Sequence, residues 1–267
     1  MAVSDDKLAG TMLRTLLIVS LFLLATGCAH QSNPSFDVST HQARVILDRL
    51  AEDPRPLDRP LVVVGGFADP GIGAGLVHAA LASRIRDERV LDVVTAFGCD
   101  FDDCRQQLIE QVQRRFGNQQ VDVIGMSMGG LVARYAAAPL PGRPGLNVAR
   151  LFTISAPHRG AILASLPTLD QKMIEMRPGS ALLDCIALYD AHADYELIPY
   201  ARLGDFTVGA KYSAPPGITP WWISTPFFQD PHDGANFDPR ILADIVLRLR
   251  NEPPLTHDPR APLPSCG

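Results

Sequence analysis

Val123-Ile124-Gly125-Met126-Ser127-Met128-Gly129-Gly130-Leu131 is the stretch from which the rest of the chain is read. An apolar run, Val121-Asp122-Val123-Ile124, predicts a strand, and the residues from Met128 to Ala138 predict a helix that follows at once. Between them stands Gly-x-Ser-x-Gly. A serine on so sharp a strand-to-helix turn projects its hydroxyl above the sheet edge, and the crowded turn needs small residues at Gly125 and Gly129. The hydroxyl then sits at a helix N-terminus, where backbone N–H groups favour developing negative charge. The pattern makes Ser127 a candidate nucleophile. The bare pattern is common enough to arise by chance; the strand before it and the helix after it give it weight.

Working outward, Leu61-Val62-Val63-Val64 is a short, fully apolar run, as expected of a strand buried on both faces of a parallel sheet. It opens into Gly65-Gly66-Phe67-Ala68-Asp69-Pro70-Gly71. Helices are predicted from His41 to Leu50, from Leu76 to Asp87, and from Asp102 or Asp103 to about Phe116. Further strands are predicted at Val90–Ala96, Leu151–Ile154, Glu196–Leu203 and Trp221–Thr225. Residues 156–196 hold amphipathic pieces, Met173 to Leu188, broken by Pro178-Gly179, and read as a helical insertion. Ile241, Leu242, Ile245, Val246 and Leu249 share one face of a closing helix. This alternation predicts an α/β fold with a mostly parallel central sheet flanked by helices, and function-bearing loops at the strand C-termini.

The chain has 267 residues, within the roughly 250–300 that one hydrophobic core supports. Its formal net charge of −5 provides no basic field for nucleic acid. Nothing in the sequence calls for a metal or a cofactor. Leu13 to Thr26 is apolar apart from Arg14, Thr15 and Ser20, too short for a comfortable membrane span but suited to the apolar region of an export signal. It ends in Leu24-Ala25-Thr26-Gly27-Cys28, which resembles the lipobox of bacterial lipoproteins. The resemblance implies a signal peptide over residues 1–27, cleavage before Cys28 and lipidation of Cys28. Ala25 stands where that family prefers Leu, and Met12 is an alternative start that removes the acidic Asp5 and Asp6. Ala29, rather than Asp, follows the cysteine, which in that family points to the outer membrane of the cell envelope. The remaining cysteines, Cys99, Cys104, Cys185 and Cys266, form an even set, which in an oxidising compartment suggests disulfides. Cys99 and Cys104 are close enough to close a small loop, leaving Cys185 for Cys266, although the spacing alone does not select among the pairings. Residues 28–60 read as a tether and N-terminal segment, 61–250 as the catalytic domain with its insertion at about 156–196, and 251–267 as a proline-rich tail.

Gly125 to Tyr135 resembles the nucleophile elbow of α/β-hydrolase lipases and esterases. Ile154-Ser155-Ala156-Pro157-His158-Arg159-Gly160 is similar to a segment after the next strand in many of those lipases, and Arg177-Pro178-Gly179-Ser180 to part of their helical cap. The resemblance runs from about Leu61 to Leu249. It implies an α/β-hydrolase fold with a small helical cap, and ester hydrolysis by a Ser-Asp-His triad in the chain order serine, acid, histidine. Of the seven histidines, His158, His192, His232 and His257 follow the serine. His158 comes too early to leave room for the acid and is expected to be structural or to position the cap. His192 falls in the insertion and His257 in the tail. His232, in Phe228-Gln229-Asp230-Pro231-His232-Asp233-Gly234 between the last strand and the last helix, is where the fold presents its base. Asp205, in Leu203-Gly204-Asp205-Phe206-Thr207-Val208, resembles the family's acid turn; Asp194 and Glu196 precede the strand, and Asp230 and Asp233 flank the histidine too closely. The oxyanion donors implied are the amides of Met128 and Phe67, with Ala68 as the alternative to Phe67. The family's His-Gly is here Gly65-Gly66, which leaves the second donor open. The expected substrate is an ester, of lipid or acyl type given the tether and cap. Met173, Ile174, Met176, Leu182 and Leu183 serve either as an apolar cap or as core. Thioesterase, acyltransferase and amidase chemistry share the same triad, and a non-catalytic envelope lipoprotein on a hydrolase scaffold is the rival from another class.

Overall fold

Six strands form one sheet in the spatial order β2-β1-β3-β4-β5-β6, and every neighbouring pair is parallel. The computed structural model describes residues 31–86, 88–95, 98–190 and 193–265. In chain order the elements are α1 (Thr40–Glu52), β1 (Leu61–Val64), α2 (Ile72–Ala82), β2 (Val90–Val93), α3 (Phe101–Phe116), β3 (Val121–Met126), α4 (Met128–Ala137) and β4 (Val148–Ile154). There follow α5 (Gln171–Glu175), α6 (Ala181–Asp190), β5 (Glu196–Arg202), β6 (Trp221–Ile223) and α7 (Pro239–Leu249). Short 3-10 turns stand at Leu163–Ser165, Ala210–Tyr212 and Asp233–Phe237.

The continuous apolar character of β1 and β3 reflects burial on both faces. Side chains alternate across a strand, so Val62 and Val64 join the cluster under α3 and α4, with Leu108, Val112, Leu131 and Val132. Leu61 and Val63 join the opposite cluster with Leu47, Val77, Leu81, Ile241 and Ile245 from α1, α2 and α7. Each such side chain contributes about 1.5–3 kcal/mol on burial. With all strands parallel, their C-termini share one edge of the sheet, and the loops after β1, β3, β5 and β6 emerge there together.

Local chemistry sets the helix starts. Ser39 and Gln42 make a reciprocal capping box on α1. Asp238 caps α7 ahead of Pro239, a residue suited to a first helical position. Helix α3 begins at Phe101 under Asp100, whose carboxylate accepts from the Asp103 amide; the cap lies two or three residues before the expected Asp102 or Asp103, which instead occupy the first turn. Helix α2 begins at Ile72, four residues before the expected Leu76, because Asp69 takes up its first amides.

Two expectations are corrected. The stretch read as a tether is held to the domain from Asn33 on: Asn33 donates to the Trp222 carbonyl at 2.9 Å, and Phe36 is buried against Tyr200. The proline-rich tail is docked as well. Trp222 Nε1 donates to the Ala261 carbonyl, and the amides of Leu255 and Thr256 donate to Asp244. The Cys99–Cys104 bridge is not made: Cys99, Cys104 and Cys185 are free thiols. Cys104 faces the core from α3, its Sγ 3.3 Å from the Thr95 carbonyl and its pKa pushed up to about 11 by burial, whereas Cys99 is exposed in the preceding loop. The expected partner of Cys185, Cys266, lies outside the described residues, as do the signal segment and Cys28. Among the described residues no helix is long and apolar enough to cross a membrane.

Candidate active site

Ser127 occupies the turn between β3 and α4 with φ 49° and ψ −124°. A non-glycine residue in this region carries strain on the order of 1–3 kcal/mol, held here by its surroundings. The Ser127 amide donates to the Ile154 carbonyl at 2.8 Å, which fixes the turn to β4. The glycines are required by close backbone approach. A Cβ at Gly125 would collide with the Cα of Gly130, and one at Gly129 with the carbonyls of Val64 and Gly65. The turn therefore cannot form with larger flanking residues unless α4 moves away from both β3 and β1.

Two other strand ends converge on the serine. His232 Nε2 stands 2.9 Å from Ser127 Oγ, and His232 Nδ1 stands 2.9 Å from Asp205 Oδ2. Asp205 is buried, and its other oxygen accepts from the amides of Thr207 at 2.8 Å and Val208 at 3.0 Å. Both of its oxygens thus have donors, which orients the carboxylate. Because an ionised Asp205 only accepts, Nδ1 carries the proton and Nε2 presents its lone pair to the Ser127 hydroxyl. Burial disfavours the imidazolium, but the Asp205 hydrogen bond and the charges of Asp205, Asp233 and Asp230 outweigh it. The net result is a His232 pKa above the ordinary 6.5.

The loop after β1 also reaches this point. A Cβ on Gly66 would stand 3.4 Å from that of Ser127, which puts the backbone just before Phe67 against the serine. Asp69 holds the loop: one carboxylate oxygen accepts from Gly71 and Gly73, the other from Ala74, at 2.9–3.0 Å. Ala68 has φ 55°, and the Lys172 ammonium lies 5.3 Å from the Phe67 ring centre. Met128 is the first residue of α4, beside Ser127.

The other described histidines stand apart from this relay. His158 is buried with Nε2 2.9 Å from Thr153 Oγ1, and burial together with Arg134 holds its pKa well below 6.5. His257 lies in the docked tail, its amide bound to the Ser35 carbonyl. His192 lies outside the described residues. Among the described residues no group of three or more His, Cys, Asp or Glu side chains is placed to hold a metal ion.

Within the insertion, Met176 and Leu183 are buried in the core cluster, and Met173 and Leu182 pack partly against it. These four are core, not an open cap. Arg134, in the last turn of α4, ties the insertion to that helix through Asp190 at 2.7 Å. The sequence reading missed a second buried group. Arg202 at the end of β5 pairs with Asp238 at 2.6 Å and donates to the Asp230 carbonyl at 3.0 Å, inside the His232 loop. An arginine and an aspartate 36 residues apart carry no local pattern that would link them.

Comparison with known families matches residues 100–176, under a third of the chain, to the PGAP1-like alpha/beta domain. Comparison with curated proteins gives no match. Among solved structures, the chain is similar to the Bacillus licheniformis lipase BlEst2 in its mature form, with 15% identity and a TM-score of 0.52 over 77% of this chain and 95% of that one. It is similar also to the propeptide form, with 16% identity and a TM-score of 0.53 over 80% of this chain and 54% of that one. Together with the parallel sheet and its flanking helices, these likenesses show that the chain has the α/β-hydrolase fold.

Proposed function

We propose that this chain is a serine hydrolase that cleaves carboxylic esters through an acyl-enzyme, with Ser127 as nucleophile, His232 as general base and Asp205 as its orienting acid. The observation that carries the reading is the unbroken relay from Asp205 through His232 to Ser127, each step 2.9 Å long. Serine at neutral pH is a poor nucleophile and needs such a base. His232 takes the Ser127 proton as Oγ attacks the ester carbonyl, and Asp205 stabilises the imidazolium that forms. The amides of Met128 and Phe67 hold the developing oxyanion, each worth about 3 kcal/mol of barrier. His232 then protonates the leaving alcohol, and water, deprotonated by the same base, releases the acid.

The base works only when neutral, so activity disappears as pH falls through the His232 pKa. That pKa is raised, so the acid limb of kcat/KM, which reports the free enzyme, should lie above pH 6.5. A pH series with a soluble p-nitrophenyl ester checks this; a limb below 6.5 would mean that Asp205, Asp230 and Asp233 do not act on His232 as their placement implies.

An acyl or lipid ester is the substrate class favoured by the loops at this sheet edge. Phe67 after β1, Leu166 and Leu169 after β4, Phe206 after β5, and Phe227 and Phe228 after β6 are all exposed. Single exposed apolar residues are ordinary, but all six belong to loops that follow strands at the edge where Ser127 stands. Turnover is expected to rise with acyl length from acetate to octanoate; a preference for acetate would exclude this class.

The N-terminal sequence supports attachment to the cell envelope, with the outer membrane as the expected location, through a lipid on Cys28. A Cys28→Ser chain should move from the membrane fraction to the soluble fraction of its host. Retention in the membrane would refute the anchor while leaving the hydrolase reading untouched.

A further inference from the structure

We infer that Arg202 is a positioning residue for the catalytic base: its guanidinium clamps the loop that carries His232 to the end of the strand that leads to Asp205. This inference rests on the relay described above. Arg202 is the last residue of β5, fully buried, three positions before Asp205. Its Nε and Nη2 both bind Asp238 Oδ2, at 3.0 and 2.6 Å. The remaining donors point into the His232 loop, with Nη1 on the Asp230 carbonyl at 3.0 Å and Nη2 on Gln229 Oε1 at 2.9 Å.

The loop is built around that contact. The Asp230 carboxylate accepts from the amides of His232 at 2.8 Å and Asp233 at 2.6 Å. Arg202 therefore grips the backbone of the residue whose side chain sets the His232 backbone. On the other side of His232, a Cβ at Gly234 would come within 2.5 Å of Arg202 Nη1. Gly234 has no positive φ that would call for glycine, and what a side chain there would meet is the guanidinium, itself held by Asp238, the Asp230 carbonyl and Gln229. Asp238 is itself fixed. It caps α7 and also binds Arg240, which donates to the Ser224 carbonyl just after β6 at 2.7 Å. The clamp thus gathers the ends of β5 and β6, the start of α7 and the histidine loop onto one buried carboxylate.

The arrangement uses what distinguishes arginine from lysine. A planar fork with five donors can hold a carboxylate on one edge and a carbonyl and an amide oxygen on the other, whereas an ammonium satisfies the charge without the second edge. A purely structural ion pair would need only Asp238. The donors spent on Asp230 and Gln229 are what tie the pair to the base.

The test compares Arg202→Lys, Arg202→Met, Gly234→Ala and the double variant Arg202→Lys/Gly234→Ala in the full chain, on p-nitrophenyl butyrate, with thermal melts to establish folding. A displacement of about 1 Å at a base costs on the order of a hundredfold in rate. Arg202→Met is expected to lower kcat about a hundredfold and Arg202→Lys about tenfold, each with KM within about threefold of wild type. Gly234→Ala is expected to lose about tenfold alone but less than about twofold when added to Arg202→Lys, because lysine has no Nη1 to collide with the new methyl. If Arg202→Met does not fold, Arg202→Lys and the pair with Gly234→Ala decide the matter. Wild-type kcat in a folded Arg202 variant overturns the inference, as does a Gly234→Ala loss of the same size in both backgrounds. Ser127→Ala and His232→Ala are run beside them. Turnover surviving in those two variants would mean that the relay reading itself had failed, an outcome distinct from a dead relay with an indifferent Arg202.

Discussion

Ser127→Ala and His232→Ala are each expected to lower kcat on a soluble ester by about a million-fold, and the double variant to fall no further. The reason is geometric. The Ser127 hydroxyl has its acceptor in His232 Nε2 at 2.9 Å, so on the proposed mechanism the two side chains act as one nucleophile. Removing either leaves the other without work to do: an alanine at 232 leaves a hydroxyl that is almost wholly protonated, and an alanine at 127 leaves a base with nothing to activate. Residual catalysis would come from the oxyanion donors and from binding, neither of which the two substitutions touch. Steady-state rates on the three variants, with contaminating host esterases excluded by inhibition of the wild type, measure the cycle. Losses that multiplied in the double variant would mean that the two residues act independently and that the relay is not the source of the activity.

Asp205→Asn is expected to cost about ten-thousandfold in kcat with little change in stability. The orientation of the new amide follows from its neighbours. Asp205 Oδ1 accepts from the amides of Thr207 and Val208, so the carbamoyl oxygen of asparagine keeps that place and its NH2 turns toward His232 Nδ1. A donor facing Nδ1 drives the proton to Nε2, where the imidazole can no longer accept from Ser127. The same substitution removes the charge most responsible for raising the His232 pKa. Activity should therefore be lost across the whole neutral range rather than shifted along the pH axis. A loss of only a few-fold would place the acid elsewhere, with Asp230 and Asp233, the other carboxylates acting on His232, as the residues to examine.

Much of the fold was legible because short apolar runs separated by helical stretches have few packings open to them other than a parallel sheet. The elbow was legible for a stronger reason. Gly125 and Gly129 are bare because backbone occupies the space of their side chains, so the constraint that shapes the turn is written in the residues themselves. Asp205 and His232 could be named only through a resembling family, from its chain order, its acid turn and the loop in which it presents its base. Nothing local to either residue distinguishes it, and the structure brings them within 2.9 Å although 27 residues separate them. The Arg202 clamp was illegible for the same reason, without a family pattern to supply it. The errors arose where composition stood in for contact. A polar N-terminal stretch looks like a linker, but Phe36 covers Tyr200 on one face of the sheet and Asn33 binds the Trp222 carbonyl, while Ala261 of the tail takes up the Trp222 indole on the other face. Proximity of Cys99 and Cys104 in sequence suggested a bridge, while the start of α3 at Phe101 turns the second thiol into the core and leaves the first outside. Element ends drifted by a few residues because caps such as Asp69 and Asp100 act through backbone geometry that periodicity does not record.

The rival reading of a binding protein on a hydrolase scaffold requires a broken or idle relay, so the most direct measurement asks whether Ser127 is chemically activated. The full chain is labelled with a fluorophosphonate probe, which phosphonylates an activated serine and releases fluoride, and the modified peptide is identified by mass spectrometry. The account predicts one adduct, on Ser127, that is absent from heat-denatured protein and from the His232→Ala variant. A folded wild-type chain that takes up no label at Ser127, or that takes it up equally well without His232, would contradict it.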